Sequence, residues 1–224
     1  MRFLTRKAQE AARFLHIRKL HISQLPLLMA ETFLLILSAS FVNACSELFF
    51  ANGAQPILEK AADHPLTSVV TLCLIPAVIE ETLFRGIILR IIKGPVKSIL
   101  LSALLFAIWH LNPDQMTYAF LAGLMLGLMA LWLDNLLCTM ITHMLFNLYN
   151  LLAVILPAGT AAGKVMAFSE RIIGYLIPPL KSPEGVFLTG NFFIGLLTFL
   201  LSTSLYIFIL YKSSTMQGHL TADI

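Results

Sequence analysis

The chain contains six apolar segments, most of which are close to twenty residues long. An α-helix needs about 20 predominantly apolar residues to cross a bilayer, where it satisfies its own backbone hydrogen bonds. Only 12% of the residues are charged, against about 25% in an average soluble domain. We therefore predict an all-α, polytopic transmembrane helical bundle of about six spans. The predicted spans are residues 25–48, 66–89, 96–111, 117–133, 136–156 and 192–211.

Positive charges are concentrated at two places that predict the orientation of the bundle. Residues 1–24 are basic and amphipathic, which is typical of a helix in the membrane interface; a mitochondrial transit peptide is the alternative. A second group surrounds the turn after the second span: Arg85, Arg90, Lys93 and Lys97. Because Lys and Arg mark cytoplasmic loops, the N-terminus and this turn are predicted to be cytoplasmic. Residues 157–190 would then lie outside, and their own positive charges indicate that part of this loop lies in the interface.

The chain divides into three parts. Residues 1–65 comprise the N-terminal amphipathic helix and the first span, residues 66–156 a four-span core, and residues 157–224 a loop with the last span. No soluble face combines a basic patch with aromatic residues, so no nucleic-acid partner is expected. The three cysteines match no zinc ribbon or redox pair and are expected to be small core residues.

Two adjacent carboxylates, Glu80 and Glu81, lie inside the second apolar segment. A carboxylate at the centre of a membrane costs about 2.5–3.5 kcal/mol on insertion scales and marks a functional site by default. Glu81 precedes Arg85 by four residues, the favourable order for an ion pair on one helix face, which would leave Glu80 free. Pro76 lies four residues before Glu80, and its missing N–H predicts a kink there.

Two histidines on later spans complete the set of intramembrane ionisable residues. His110 shares a helix face with Phe106, and His143 shares one with Asn147. Glu80 and His110 are almost equally far from the turn that joins their helices, so an antiparallel pair would place them at the same depth. Each residue alone could be an ordinary interhelical contact, and the Glu81–Arg85 pair could be purely structural.

Other polar or small residues in the spans have simpler interpretations. Glu31 and Glu47 lie near the ends of the first span, where we expect water to be close and no part in the chemistry. Gly123 and Gly127 form a small-xxx-small pair, which predicts close packing against a neighbouring helix.

Three short motifs resemble those of the CAAX protease and bacteriocin-processing family, intramembrane proteases related to the Ras-converting CAAX endopeptidase. They run from Glu80 to Arg85, from Phe106 to His110, and from His143 to Asn147. They match the family in order and spacing, and each lies in a predicted span. The resemblance covers about 80 residues, from Pro76 to roughly Leu156, and implies an intramembrane endopeptidase.

Peptide hydrolysis needs an activated water, donors for the oxyanion and an acid for the leaving amine. Glu80 is the candidate general base, and His110 would orient the water. His143 and Asn147 would donate to the oxyanion, with Glu81 and Arg85 in support; the resemblance implies the same roles. Glu80, His110 and His143 also match a catalytic zinc ligand set. The family has been described both as metalloproteases and as glutamate-dependent enzymes, and the reading without metal is favoured.

Two other function classes remain open on the sequence. Acid–histidine chains in spans also relay protons, so a proton-coupled transporter or ion pathway is one alternative. A non-catalytic immunity or scaffold protein of the same fold is the other. The favoured partners are a membrane-associated protein or peptide substrate and the lipid bilayer, and the expected location is the bacterial inner membrane. Water and substrate are expected to reach the site from the cytoplasmic side, between the second, third and fifth spans.

Overall fold

The computed structural model describes residues 9–50, 55–157 and 159–222, and most of these residues are helical. We number the main helices α1 to α8. The described residues contain no strand, and their one β-bridge joins Lys181 to Phe187. The helices are α1 Leu25–Ser46, α2 Gln55–Ala61, α3 residues 65–91, α4 Pro95–Trp109, α5 Pro113–Trp132, α6 Leu136–Ile155, α7 Ala161–Leu176 and α8 Thr189–Ala222. The predicted all-α bundle is confirmed.

Four helices of the described chain are long and apolar enough to cross a membrane by length and composition. They comprise Ile22–Ser46, Pro113–Trp132, Leu136–Ile155 and Thr189–Thr215. Helix α4 is a shorter apolar helix, as predicted for the third segment, and α3 covers the second. Residues 9–14 are also helical, while the first eight residues of the predicted interfacial helix lie outside the described part of the chain. The loop after α6 contains a helix of its own, α7.

Helix α3, which carries both carboxylates, is not a regular α-helix. Its central part, Ile75–Glu81, is α-helical, but Val69–Leu74 before it and Thr82–Ile88 after it are π-helical. Pro76 lies at the start of the central part. Wide π-helical turns are rare and occur often at functional sites. The backbone of α3 is therefore irregular on both sides of the part that carries the carboxylates, and the kink at Pro76 stays a prediction.

Small and polar residues hold the long helices together. A Cβ atom built on Gly123 would lie 2.8 Å from Ala103 Cα, so α5 approaches α4 as closely as the small-residue pair predicts. Between α1 and α8, the hydroxyl groups of Ser38 and Ser202 are 2.8 Å apart. The Tyr206 hydroxyl of α8 donates to the carbonyl oxygen of Met125 in α5 at 3.0 Å. Packing and interhelical hydrogen bonds are the forces that associate helices in a bilayer.

Asp134, in the turn between α5 and α6, brings the basic segments together at one end of the bundle. Its carboxylate lies 2.6 Å from His16 Nδ1 and 3.1 Å from Arg90 Nη1, and it also pairs with Arg18. The backbone N–H of Arg18 donates to Asn135 Oδ1 at 3.2 Å. The N-terminal segment and the end of α3 therefore meet at what we call the basic end.

One prediction for the first span is wrong. Glu31 was expected near water, but its side chain has no exposed surface, and neither of its oxygens has a hydrogen-bond partner in the described chain. Helical spacing places it on the same side of α1 as Leu28 and Leu35, which pack with Tyr206 in the main core cluster. Glu47, at the end of α1, is exposed.

Candidate active site

A cavity of about 830 Å³ lies inside the bundle, and the four predicted catalytic residues all line it. Glu80 comes from α3, His110 from the end of α4, and His143 and Asn147 from α6. Helices α3, α4 and α6 are the second, third and fifth predicted spans. The structure thus brings together residues that are up to 67 positions apart in the chain, from 80 to 147.

Glu81 lies behind the cavity wall and is the centre of a buried cluster. Its Oε1 accepts a hydrogen bond from Arg85 Nη1 at 2.8 Å and another from His143 Nδ1 at 2.8 Å. Glu81 and Arg85 have no exposed surface, and neither lines the cavity. The predicted Glu81–Arg85 pair is confirmed, whereas its bond to His143 was not foreseen. We call these three residues the Glu81 cluster.

Glu80 differs from its neighbour because it faces the cavity. Its side chain is 15% exposed, and its Oε2 lies 3.9 Å from His143 Nε2. That oxygen has no hydrogen-bond partner among the described residues. Because the Glu81 carboxylate can only accept at His143 Nδ1, the proton of the neutral ring is held there. His143 Nε2 is then the nitrogen directed to Glu80 and to the cavity.

The Phe106 ring contacts three ionisable side chains of the site, those of Arg85, His110 and His143. Its ring centroid lies 4.3 Å from the Arg85 guanidinium carbon, in cation–π contact. The same ring meets His110 at 4.9 Å and His143 at 5.8 Å between ring centroids, in edge-on geometry. His110 Nδ1 also donates to the carbonyl oxygen of Phe106 at 2.8 Å. This bond leaves His110 Nε2 as the nitrogen available in the cavity.

Asn147 contacts the backbone of α3 through a bond that the sequence analysis missed. Its Nδ2 donates to the carbonyl oxygen of Leu72 at 3.2 Å. In a regular α-helix that carbonyl would accept from the residue four positions later, which is Pro76 and has no N–H. In the second π-helical part, Ser102 Oγ likewise donates to the carbonyl oxygen of Phe84 at 2.8 Å. Side chains of neighbouring helices thus bond to carbonyl groups of α3. The position of Pro76, four residues after Leu72, was the sequence signal for the bond of Asn147.

The cavity extends away from the basic end, so the predicted access from that end is wrong. Besides the four predicted catalytic residues, its polar lining residues lie in the far halves of α1, α5 and α6, directly after α1, and in α7: Ser40, Asn43, Glu47, Gln115, Tyr118, Asn150 and Glu170. At the basic end, Leu15 packs so tightly that a Cβ on Gly86 would lie 2.8 Å from its Cδ2. The N-terminal segment therefore packs directly against α3 at that end.

The residues considered as zinc ligands do not form a metal site in this structure. No three His, Cys, Asp or Glu side chains of the described chain are grouped so that they could hold a metal ion.

Residues 62–149 match the family described as Type II CAAX prenyl endopeptidase Rce1-like. This segment contains all three motifs, and the match confirms the resemblance to CAAX proteases. It supports a protease of the CAAX type, and with the four membrane-length helices it indicates an integral membrane protein. No curated protein and no solved structure matches the chain.

Proposed function

We propose that this chain, whose residues 62–149 match the Type II CAAX prenyl endopeptidase Rce1-like family, is an intramembrane endopeptidase for membrane-associated proteins or peptides. One observation carries the proposal. Glu80, His110, His143 and Asn147 line a single cavity, while Glu81 and Arg85 lie behind its wall. Polar groups that converge in a cavity of a bundle form the usual arrangement of a catalytic site.

Glu80 is the general base in this proposal. Its Oε2 takes a proton from a water molecule, and the water oxygen adds to the carbonyl carbon of the scissile peptide bond. His110 Nε2 accepts a hydrogen bond from the same water and orients it. General-base catalysis by a positioned side chain contributes roughly 10²–10⁴-fold.

His143 and Asn147 bind the oxyanion that the addition creates. The Asn147 amide carries two hydrogens, and its bond to Leu72 uses one, so the other is available. His143 donates from Nε2 when that nitrogen also carries a proton. Each donor of this kind contributes about 3–4 kcal/mol. The proton on Glu80 then moves to the amide nitrogen as the C–N bond breaks, which releases an amine and restores the carboxylate.

Glu81 and Arg85 act as positioning residues. Glu81 Oε1 holds His143 Nδ1 at 2.8 Å, which aims the opposite nitrogen at the cavity. Arg85 neutralises Glu81 and also reaches the carbonyl oxygen of Gly123 at 3.3 Å.

We further propose that the basic end faces the cytoplasm of a bacterial inner membrane, because Lys and Arg accumulate on that side.

The test compares cells that express the wild-type chain, Glu80→Gln or Glu184→Gln. Glu184 is exposed and does not line the cavity, which makes it a matched control. Mass spectrometry of new peptide termini in membrane proteins should find a set that appears with wild type and Glu184→Gln and is lost with Glu80→Gln. Identical termini in all three would refute the proposal and favour the scaffold interpretation.

A further inference from the structure

Helix α7, Ala161–Leu176, carries an apolar stripe on the side that faces away from the bundle. The helix is more strongly amphipathic than the other long helices, α1, α4, α5, α6 and α8. The stripe consists of its exposed large apolar side chains: Val165, Phe168, Ile172 and Tyr175. Their spacing of three, four and three residues places them on one side of the helix. Because Phe168 is 64% and Tyr175 74% exposed, the described part of the bundle leaves the stripe uncovered.

The opposite side of α7 belongs to the cavity wall. Glu170, Ile173 and Gly174 line the cavity, and Met166 is buried. One helix thus separates the cavity from the surroundings of the bundle at this position. The nature of those surroundings depends on the depth of α7 in the membrane.

Two observations place α7 beside helices of membrane length. The Thr198 hydroxyl of α8 donates to the carbonyl oxygen of Leu176, the last residue of α7, at 2.9 Å. Thr198 comes nine residues after the start of α8, which is about 13 Å along a helix. Asn150 of α6, five residues before that helix ends, lines the cavity together with Glu170. Since α6 and α8 are long and apolar enough to cross a membrane, α7 lies at the level where such helices leave the hydrocarbon.

The charges of α7 match the headgroup layer of a bilayer. Lys164 and Arg171 are exposed and seven residues apart, so they lie about two turns apart on one flank of the stripe. Their aliphatic stems can lie along hydrocarbon while the charged ends reach the lipid phosphates. Tyr175 is of a residue type that is enriched at this level of membranes. Lys and Arg beside an apolar face are typical of a helix that lies in the interface.

We propose that α7 binds the lipid surface. Its stripe enters the boundary between headgroups and acyl chains, and Lys164 and Arg171 bind the phosphates of anionic phospholipids. The cavity wall formed by Glu170 and Ile173 is then the reverse side of a lipid-bound helix. This inference does not depend on proteolysis and would hold for any function of the cavity.

The test uses the full-length chain in lipid nanodiscs, in a background in which the three native cysteines are replaced. A fluorescent label is attached to a single cysteine at Phe168, in the stripe, or at Ala167. Ala167 is also exposed but points about 100° away around the helix, which makes it the matched control. Quenching is measured with lipids brominated in their acyl chains and with iodide in the water. A label at Tyr175 replaces the one at Phe168 if that variant fails to fold.

The brominated lipid is a minor component of the bilayer and is either zwitterionic phosphatidylcholine or anionic phosphatidylglycerol. We expect acyl-chain quenching to be stronger at position 168 than at position 167, and iodide quenching to be weaker. The anionic lipid should be enriched around position 168 by up to about fivefold for each cation. Lys164→Gln and Arg171→Gln should each reduce this enrichment, whereas Lys97→Gln, an exposed position at the basic end, should not.

Iodide quenching as strong at position 168 as at position 167 would show that the stripe faces water and would overturn the inference. A label shielded from both quenchers would overturn it as well, because protein would then cover the stripe; cross-linking through the cysteine at 168 would identify a second copy of this chain. Equal quenching by the two brominated lipids, or an enrichment that neither Gln substitution changes, would refute the binding of anionic phosphates. None of these results bears on proteolysis, which the Glu80→Gln comparison tests separately.

Discussion

Glu81 Oε1 and His143 Nδ1 are joined by a buried hydrogen bond of 2.8 Å, although 62 residues separate them in the chain. The same oxygen accepts from Arg85 at 2.8 Å. This bond orients the imidazole so that Nε2 lies 3.9 Å from Glu80 Oε2. The two adjacent glutamates therefore have different roles. Glu81 orients His143 from outside the cavity, and Glu80 lines the cavity together with His143.

Glu80→Gln should reduce proteolysis by roughly 10²-fold or more, because the amide cannot take a proton from water. The fold should survive, since Glu80 Oε2 has no hydrogen-bond partner in the described structure. The rate of appearance of new termini and the melting temperature in detergent are the two measurements. If Glu80→Gln cleaved at close to the wild-type rate, Glu80 would not be the general base.

Glu81→Gln should destabilise the protein more than Glu80→Gln does. It removes the charge that pairs with Arg85 inside the bundle, and breaking a buried pair costs about 3–5 kcal/mol. Titration with a denaturing detergent measures the free energy of unfolding of both variants. If Glu81→Gln has the wild-type free energy of unfolding but no activity, Glu81 takes part in the reaction itself and does not only position His143.

Asn147→Ala should cost about 1–3 kcal/mol of stability, because it removes the side-chain hydrogen bond to the Leu72 carbonyl. Pro76→Ala adds a backbone N–H that would reach this carbonyl in a regular α-helical turn, so the cost of Asn147→Ala should shrink in the double variant. The double-mutant cycle measures this coupling, expected within about 0.5–3 kcal/mol. Activity should remain low in the double variant, since the oxyanion donor is still missing; recovered activity would show that Asn147 is only structural.

Glu31→Met should stabilise the protein by about 1–3 kcal/mol, because a buried polar group without a hydrogen bond is replaced by an apolar one of similar length. Glu31→Gln, which keeps a polar group, serves as the control and should gain less. The measurement is the melting temperature in detergent. A lower melting temperature for Glu31→Met would mean that the carboxyl group has a favourable partner.

The orientation can be tested with single cysteines at Lys93 and Ser182, in a background in which Cys45, Cys73 and Cys138 are replaced. A membrane-impermeant thiol reagent should label position 182 on intact cells. Position 93, near the basic end, should be labelled only after the membrane is opened. The opposite pattern would reverse the orientation and place the far side of the cavity toward the cytoplasm.

Local rules were sufficient for much of the candidate site. The spacing of Glu81 and Arg85 predicted their ion pair, and the spacing of Phe106 and His110 predicted that they share a helix face, because residues four apart on a helix lie on the same side. Apolar length predicted the starts of the six spans within four residues and the ends of the first five within two residues, but α8 continues to Ala222, well past the predicted end at 211, and α2 and α7 were not predicted. The Glu81–His143 bond could not be predicted, because helical periodicity says which way a side chain points but not which helix it meets.

The amino-acid sequence by itself determined that the chain is a helical membrane bundle and which ionisable residues carry its motifs. These properties depend on composition, segment length and spacing, which act within one segment at a time. Only the tertiary structure decided that Glu31 is buried, that Asn147 meets the Leu72 carbonyl and that the cavity extends away from the basic end. Each of these outcomes depends on how several helices pack around one another, and close packing between distant segments follows no rule that can be read along a single helix.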